Sequence, residues 1–150
     1  MEIRYQLFED ECLLIQKFSG SFSFEKFKRY SQHVLAEYAG KKVEKVLLDF
    51  RDIRISDSVD EIPEEIEKDL DKVVQIRTNI NRNKLKDKPA KLVIWVDNPQ
   101  STVMAHLFVN RFPAMDYEYC STAHNVIKLL RLPPDFNEPE KLVQTLENSF

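Results

Sequence analysis

The strongest constraint on this chain is a change of hydrophobic period that repeats along it. Short runs of alternating or continuous apolar residues give way to longer stretches where apolar residues return every three or four positions. A period of two marks a strand and a period near 3.6 marks a helix. The chain therefore reads as strands and helices in turn, which points to a largely parallel sheet flanked by helices.

The opening departs from this rule. Ile3, Tyr5 and Leu7 alternate with Arg4 and Gln6, which predicts a half-buried strand over 3–8. Glu9-Asp10-Glu11 predicts a polar turn and Cys12 to Phe18 a second strand, so a β-hairpin is expected. Ser23 is placed to cap a helix, with Phe22 and Phe27 spaced for a hydrophobic staple. Phe24, Phe27, Val34, Leu35 and Tyr38 share one side of that helix, and Gly40 stands where a left-handed residue is wanted. Val46-Leu47-Leu48 opens a third strand whose continuous apolar run suits cover on both faces.

Residues 51–61 read as polar and irregular, and a long helix is expected from Pro63 through Ile66, Leu70, Val73 and Ile80. Leu92 to Val96 is the fourth strand. Asn98-Pro99 starts a helix with Val103, Met104, Leu107, Phe108 and Phe112 on one face. Tyr117 to Cys120 is a short fifth strand. Ser121 is expected to cap a helix carrying Val126, Ile127, Leu129 and Leu130, which Pro133-Pro134 ends. Glu138-Pro139 begins a last short helix with Leu142, Val143 and Leu146.

A chain of 150 residues suits one domain, expected as a core over 3–130 with a helical tail over 133–150. With 43% hydrophobic and 31% charged residues it should fold without disulfide or metal staples. Cys12 and Cys120 lie in apolar runs and are expected as buried free thiols. The first residues carry no signal-peptide pattern, and no apolar run approaches a membrane span, so a cytoplasmic location is expected. A net charge of −3 argues against a nucleic-acid partner. The basic stretch Arg77, Arg82, Lys84, Lys86, Lys88 and Lys91 lacks the interleaved aromatics that stack single strands.

Catalytic motifs are absent from the sequence. Two glycines cannot build the glycine-rich phosphate loops. His33, His106 and His124 fall on three different helices without metal-ligand spacing, so neither metal nor cofactor is expected. Asp49 and Asp97 follow strands, where functional carboxylates gather in parallel sheets. Asp49 resembles the phosphate-accepting aspartate of receiver domains, but Phe18-Ser19-Gly20 and Cys120-Ser121 stand where that family needs an acidic pair and a lysine. Both aspartates are therefore expected to fix loops through backbone amides.

Two surfaces remain. The loop Ser56, Asp57, Ser58, Val59, Asp60 precedes the long helix, whose N-terminus favours an anion, while Asp57, Asp60, Glu61, Glu64 and Glu65 would repel one. The stripe Met104, Leu107, Phe108, Phe112 and Met115 suits core, and it is also the candidate lining of a pocket for a small apolar ligand at Met104, Phe108 and Phe112.

The opening hairpin, the helix from Ser23, the strand Val46-Leu47-Leu48-Asp49-Phe50-Arg51-Asp52, the long helix, the strand Leu92-Val93-Ile94-Trp95-Val96 and the final strand and helix come in an order that resembles the SpoIIAA-like fold, which includes the STAS domains of anti-sigma-factor antagonists. The resemblance spans roughly residues 3 to 130. It implies an α/β fold with a mixed, mostly parallel sheet of about five strands that opens with a hairpin. It also implies a non-enzymatic regulatory module with a protein partner. Antagonists of that family carry an Asp-Ser-Ser-Gly stretch after the third strand, where a serine is phosphorylated. The counterpart here is Asp57-Ser58-Val59-Asp60, without the second serine and the glycine. The expected partner surface is Asp52, Ser56, Asp57, Ser58 and Asp60. The alternative function is a carrier or sensor of a small apolar or lipid-like ligand.

Overall fold

A computed structural model describes residues 1–55, 90–111 and 116–150, with the side chains at 108 and 111 left aside. The long helix expected from Pro63 lies outside the described residues. The strands are β1 (Glu2–Phe8), β2 (Leu13–Ser21), β3 (Lys45–Arg54), β4 (Lys91–Trp95), β5 (Asp116–Cys120) and β6 (Asn148–Ser149). The described α-helices are α1 (Phe24–Glu37), α2 (Pro99–Arg111), α3 (Ala123–Leu130) and α4 (Pro139–Gln144), with a 3₁₀ turn at Pro134–Phe136.

The strands form one sheet in the order β5-β4-β3-β2-β1-β6. β2, β3, β4 and β5 run parallel, while β1 is antiparallel to both β2 and β6. The α/β alternation and the opening hairpin are thus as expected, with one strand more. β6 is two residues long, too short for its period to stand out in the sequence.

Period two along the central strands sorts the core into two halves. Leu14, Val46, Leu48, Phe50, Leu92 and Ile94 pack on one face of the sheet with Phe27, Tyr30 and Val34 of α1 and Met104 and Ala105 of α2. Leu13, Ile15, Leu47, Val93 and Trp95 pack on the other with Val126 and Leu130 of α3 and Val143 of α4. The first half is rich in rings. Phe18 meets Phe50 and Tyr30 edge to face at centroid distances of 5.2 and 5.8 Å. Leu132, Val143 and Leu146 are buried in the second half, so residues after the fifth strand and its helix complete that core.

Helix starts follow the capping logic closely. The Ser23 hydroxyl accepts the Lys26 amide, and Phe22 and Phe27 stack at 6.0 Å as a staple would. Asn98 caps α2, its Oδ1 accepting the Ser101 amide at 2.9 Å. Gly40 is left-handed, at φ +94°.

Four local expectations need correction. Cys12 belongs to the hairpin turn rather than to β2, at φ +50°, with its amide bonded to Glu9 O and its carbonyl accepting the amides of Glu44 and Lys45. It is half-buried, whereas Cys120 is buried; both thiols are free. Residues 51–54, read as irregular, continue β3, because Ser19, Gly20 and Ser21 of β2 pair with Asp52, Ile53 and Arg54 and Ile53 stays buried. A register shift between Lys17 and Ser19 breaks the alternation there and hides the strand. Thr122, not Ser121, caps α3 by accepting the Asn125 amide; two adjacent hydroxyls leave that boundary open by one residue. Val103 is 50% exposed, since α2 buries Ser101, Met104 and Ala105. The small residues Ser101 and Ala105 let the helix approach the sheet, a preference that hydrophobicity alone does not reveal.

Candidate functional site

The carboxyl end of β3 gathers the charged side chains that a parallel sheet brings to its rim. Asp49 is completely buried on this central strand. Its two oxygens accept Arg51 Nε and Nη2, each at 2.9 Å, and Oδ1 also meets the Arg51 amide at 3.2 Å. Residues two apart on a strand point the same way, so the guanidinium reaches its partner without leaving the strand. Its fork geometry matches the carboxylate. The same guanidinium lies over the Trp95 ring, 3.5 Å from the centroid, where the ring face attracts a cation. Burial opposes the charge on Arg51, while Asp49, Asp97 and Asp52 raise its pKa.

Around this core of the rim sit groups with fewer obligations. Asp52 pairs with Lys17 of β2 at 2.7 Å and leaves 57% of its side chain exposed. Asn98 Nδ2 donates to Arg51 O at 2.8 Å and to Asp97 Oδ1 at 2.8 Å, tying the start of α2 to the end of β3. Ser101, buried, accepts the amides of Asp97 and Asn98. Asp49 thus does fix local structure, as expected, but chiefly through a side chain rather than through amides. Both of its oxygens bond to Arg51, so the carboxylate is held in a buried, two-pronged ion pair.

Of the expected partner surface, Asp52 stands on this rim, while Ser56, Asp57, Ser58 and Asp60 lie outside the described residues. Met104 is 1% exposed, on the face of α2 that packs into the core. Of its companions in the apolar stripe, the Phe108 side chain and Phe112 fall outside the described residues. The histidines have separate neighbours: His33 beside Tyr5 and Phe150, His106 beside Tyr119, His124 on α3. Among the described residues no three His, Cys, Asp or Glu side chains are grouped to hold a metal.

A second polar cluster escaped the sequence reading. Tyr5 Oη donates to Glu37 Oε2 at 2.9 Å and lies 2.8 Å from His33 Nε2. A hydroxyl has one proton, so with Glu37 receiving it, His33 donates through Nε2. Burial first, then the bond to Glu37 and its charge, push the Tyr5 phenol well above its ordinary range. The signal was available in part, as His33 and Glu37 are four apart on α1 and face each other at 3.2 Å. Nothing in the sequence placed β1 beneath them. The Arg51–Trp95 stack was hidden in the same way, because strand register brings those rings and charges together.

No family model matches the chain, and no curated protein matches its sequence. Among solved structures it is similar to the anti-sigma factor antagonist SpoIIAA in its unphosphorylated form, with a TM-score of 0.54 and 8% identity over 87% of this chain and 98% of that one. At that identity the likeness speaks for the backbone path rather than for any shared side chain. No helix among the described residues is long and apolar enough to cross a membrane. The element order, the mixed sheet and the nearly complete coverage of the compared chain agree: this protein has the SpoIIAA-like fold.

Proposed function

We propose that the chain is a non-enzymatic regulatory module that binds a protein partner at the carboxyl end of β3. The observation that supports this reading is a SpoIIAA-like fold over nearly the whole of an antagonist of known structure. The rim chemistry agrees with it. Asp49 and Arg51 are committed to each other, whereas Asp52, paired with the half-buried Lys17, presents an exposed carboxylate that a partner can address. Exposed pairs of this kind contribute little to stability, so they are free to serve recognition and steering.

The docking surface is Asp52 with Ser56, Asp57, Ser58 and Asp60, which follow it in sequence. A serine in that stretch is the candidate for phosphate control. The test is quantitative affinity capture from the native host with wild type, Asp52→Lys, Ser58→Glu and a variant with residues 56–60 scrambled. One set of proteins should be retained by wild type and lost with Asp52→Lys and the scrambled loop, at unchanged melting temperature. Equal capture by wild type and all three variants would refute the surface.

A further inference from the structure

The two lateral limits of the sheet differ in kind. On one side it ends in β6, two residues long, and on the other in β5, five residues long. A five-residue edge can template a further strand, whereas a two-residue edge is too short. Among the described residues β5 pairs with β4 alone, from Lys91 opposite Asp116 to Trp95 opposite Cys120. Cys120 O accepts the Val96 amide at 2.9 Å, so Cys120 turns its backbone groups towards β4. Backbone direction alternates along a strand, which turns the Tyr119 amide and carbonyl to the open side.

The side chains of this edge are sorted by face. Tyr119 stands opposite Ile94, on the face that α2 covers, and meets His106 edge to face at 5.1 Å. Val103 lies one turn before His106 on α2, so His106 links Val103 and Tyr119 into one patch. Val103 and Tyr119 are the large apolar side chains that stay exposed among the described residues, at 50% and 46%. The other face is acidic. Asp116 and Glu118 stand opposite Lys91 and Val93 and share the Lys91 ammonium, Asp116 at 3.5 Å. Two carboxylates on one ammonium leave a negative charge over, and both side chains reach solvent.

In strand addition, main-chain hydrogen bonds supply affinity and alternate side chains supply specificity. Here the alternation is apolar on the α2 face and acidic on the other. A second copy of this chain would bring the same surplus charge to the edge, and like charges set side by side across strands repel. The complement is a strand with basic residues on the acidic face and apolar residues against Tyr119 and Val103. We propose that the β5 edge binds an extended segment of a partner protein by strand addition, with basic and apolar residues alternating along that segment. The edge lies two strands across the sheet from β3, and the proposal does not rest on the partner surface there.

The test uses the full chain with a short capped peptide that alternates lysine and valine. Its controls are a block-ordered isomer of the same composition and a peptide that alternates glutamate and valine. Binding is read by titration calorimetry and by residue-resolved amide exchange. The lysine-valine peptide should bind, more weakly as salt rises, and should slow exchange of the Tyr119 amide by about tenfold or more. Neither control should do so. Glu118→Arg, at unchanged melting temperature, should lose the lysine-valine peptide and gain the glutamate-valine one. Tyr119→Pro suits an edge strand but removes the outward amide, and should bind severalfold more weakly. No binding up to the solubility of the peptide, equal binding of the block-ordered isomer, unchanged binding by Glu118→Arg, or binding that leaves Tyr119 exchange unaltered would overturn the proposal. A concentration-dependent dimer of the free chain that itself protects the Tyr119 amide would overturn it too, because the occupant would then be a second copy.

Discussion

The end of β3 and the edge at β1 solve one problem in two ways. Both are limits of the sheet where polar groups must be satisfied. At β3 the solution is local: Asp49 takes its partner from two residues further along the same strand, and Trp95 shields the pair. At β1 it is remote, since the partners come from residues 144–150. The local solution cannot come apart while the strand exists. The remote one can open as a unit and leave β1 and β2 paired. A buried charge pair on a central strand and a remotely completed lateral edge therefore occupy different parts of one sheet.

The largest effect should come from breaking the local solution. Arg51→Ala leaves the Asp49 carboxylate buried without a counter-charge, which should cost about 3–5 kcal/mol in chemical denaturation. Asp49→Asn combined with Arg51→Met removes both charges and should recover most of that loss. A double variant no better than Arg51→Ala would mean that the pair is not what stabilises this end of β3.

At the β1 edge the corresponding substitution is milder. Tyr5→Phe removes a hydroxyl whose partners His33 and Glu37 can turn to water, for a loss of about 0.5–1.5 kcal/mol. Thermal melts of that variant beside Arg51→Ala measure the contrast directly.

Alkaline pH should also act on the β1 edge. Burial first, then the neighbouring Glu37, push Tyr38 up to about 12 from 10.0, against bonds from the Leu7 backbone and the Asn148 side chain that lower it. The folded state then holds this proton more tightly than the unfolded state does. Its contribution is whole below pH 10.0 and is lost as the pH climbs through about 12. Urea titrations at rising alkaline pH should show a steeper decline for wild type than for Tyr38→Phe.

The smallest effect belongs to the exposed pair on the β3 rim. Lys17→Ala should change stability by no more than about 1 kcal/mol, because Asp52 returns to water. A larger loss would make Asp52 part of the scaffold and weaken its assignment to a docking surface.

The same contrast explains what could be read before the structure. Elements announced by local chemistry were legible: the Ser23 cap with its Phe22–Phe27 staple, the Asn98 cap, and the apolar runs of β3 and β4. Those signals lie within a few residues of one another. The end of β3 was obscured because a register shift breaks its alternation just where Arg51 and Asp52 begin. β6 and the Tyr5–His33–Glu37 cluster depend on segments far apart in sequence, and no local pattern encodes that pairing. At the rim, the place of Asp52 towards the end of the third strand is visible in the sequence, but the commitment of Arg51 to Asp49 and Trp95 needs side-chain geometry.

Native-state hydrogen exchange, resolved residue by residue, tests the contrast most directly. The Leu47 and Leu48 amides of β3 should exchange only through global unfolding, with full denaturant dependence. The Phe150 amide, bonded to Ile3, should exchange faster, through an opening with a smaller denaturant dependence. If Phe150 exchanges as slowly as β3 and with the same denaturant dependence, the edge does not open separately and the distinction between the central strand and the β1 edge is contradicted.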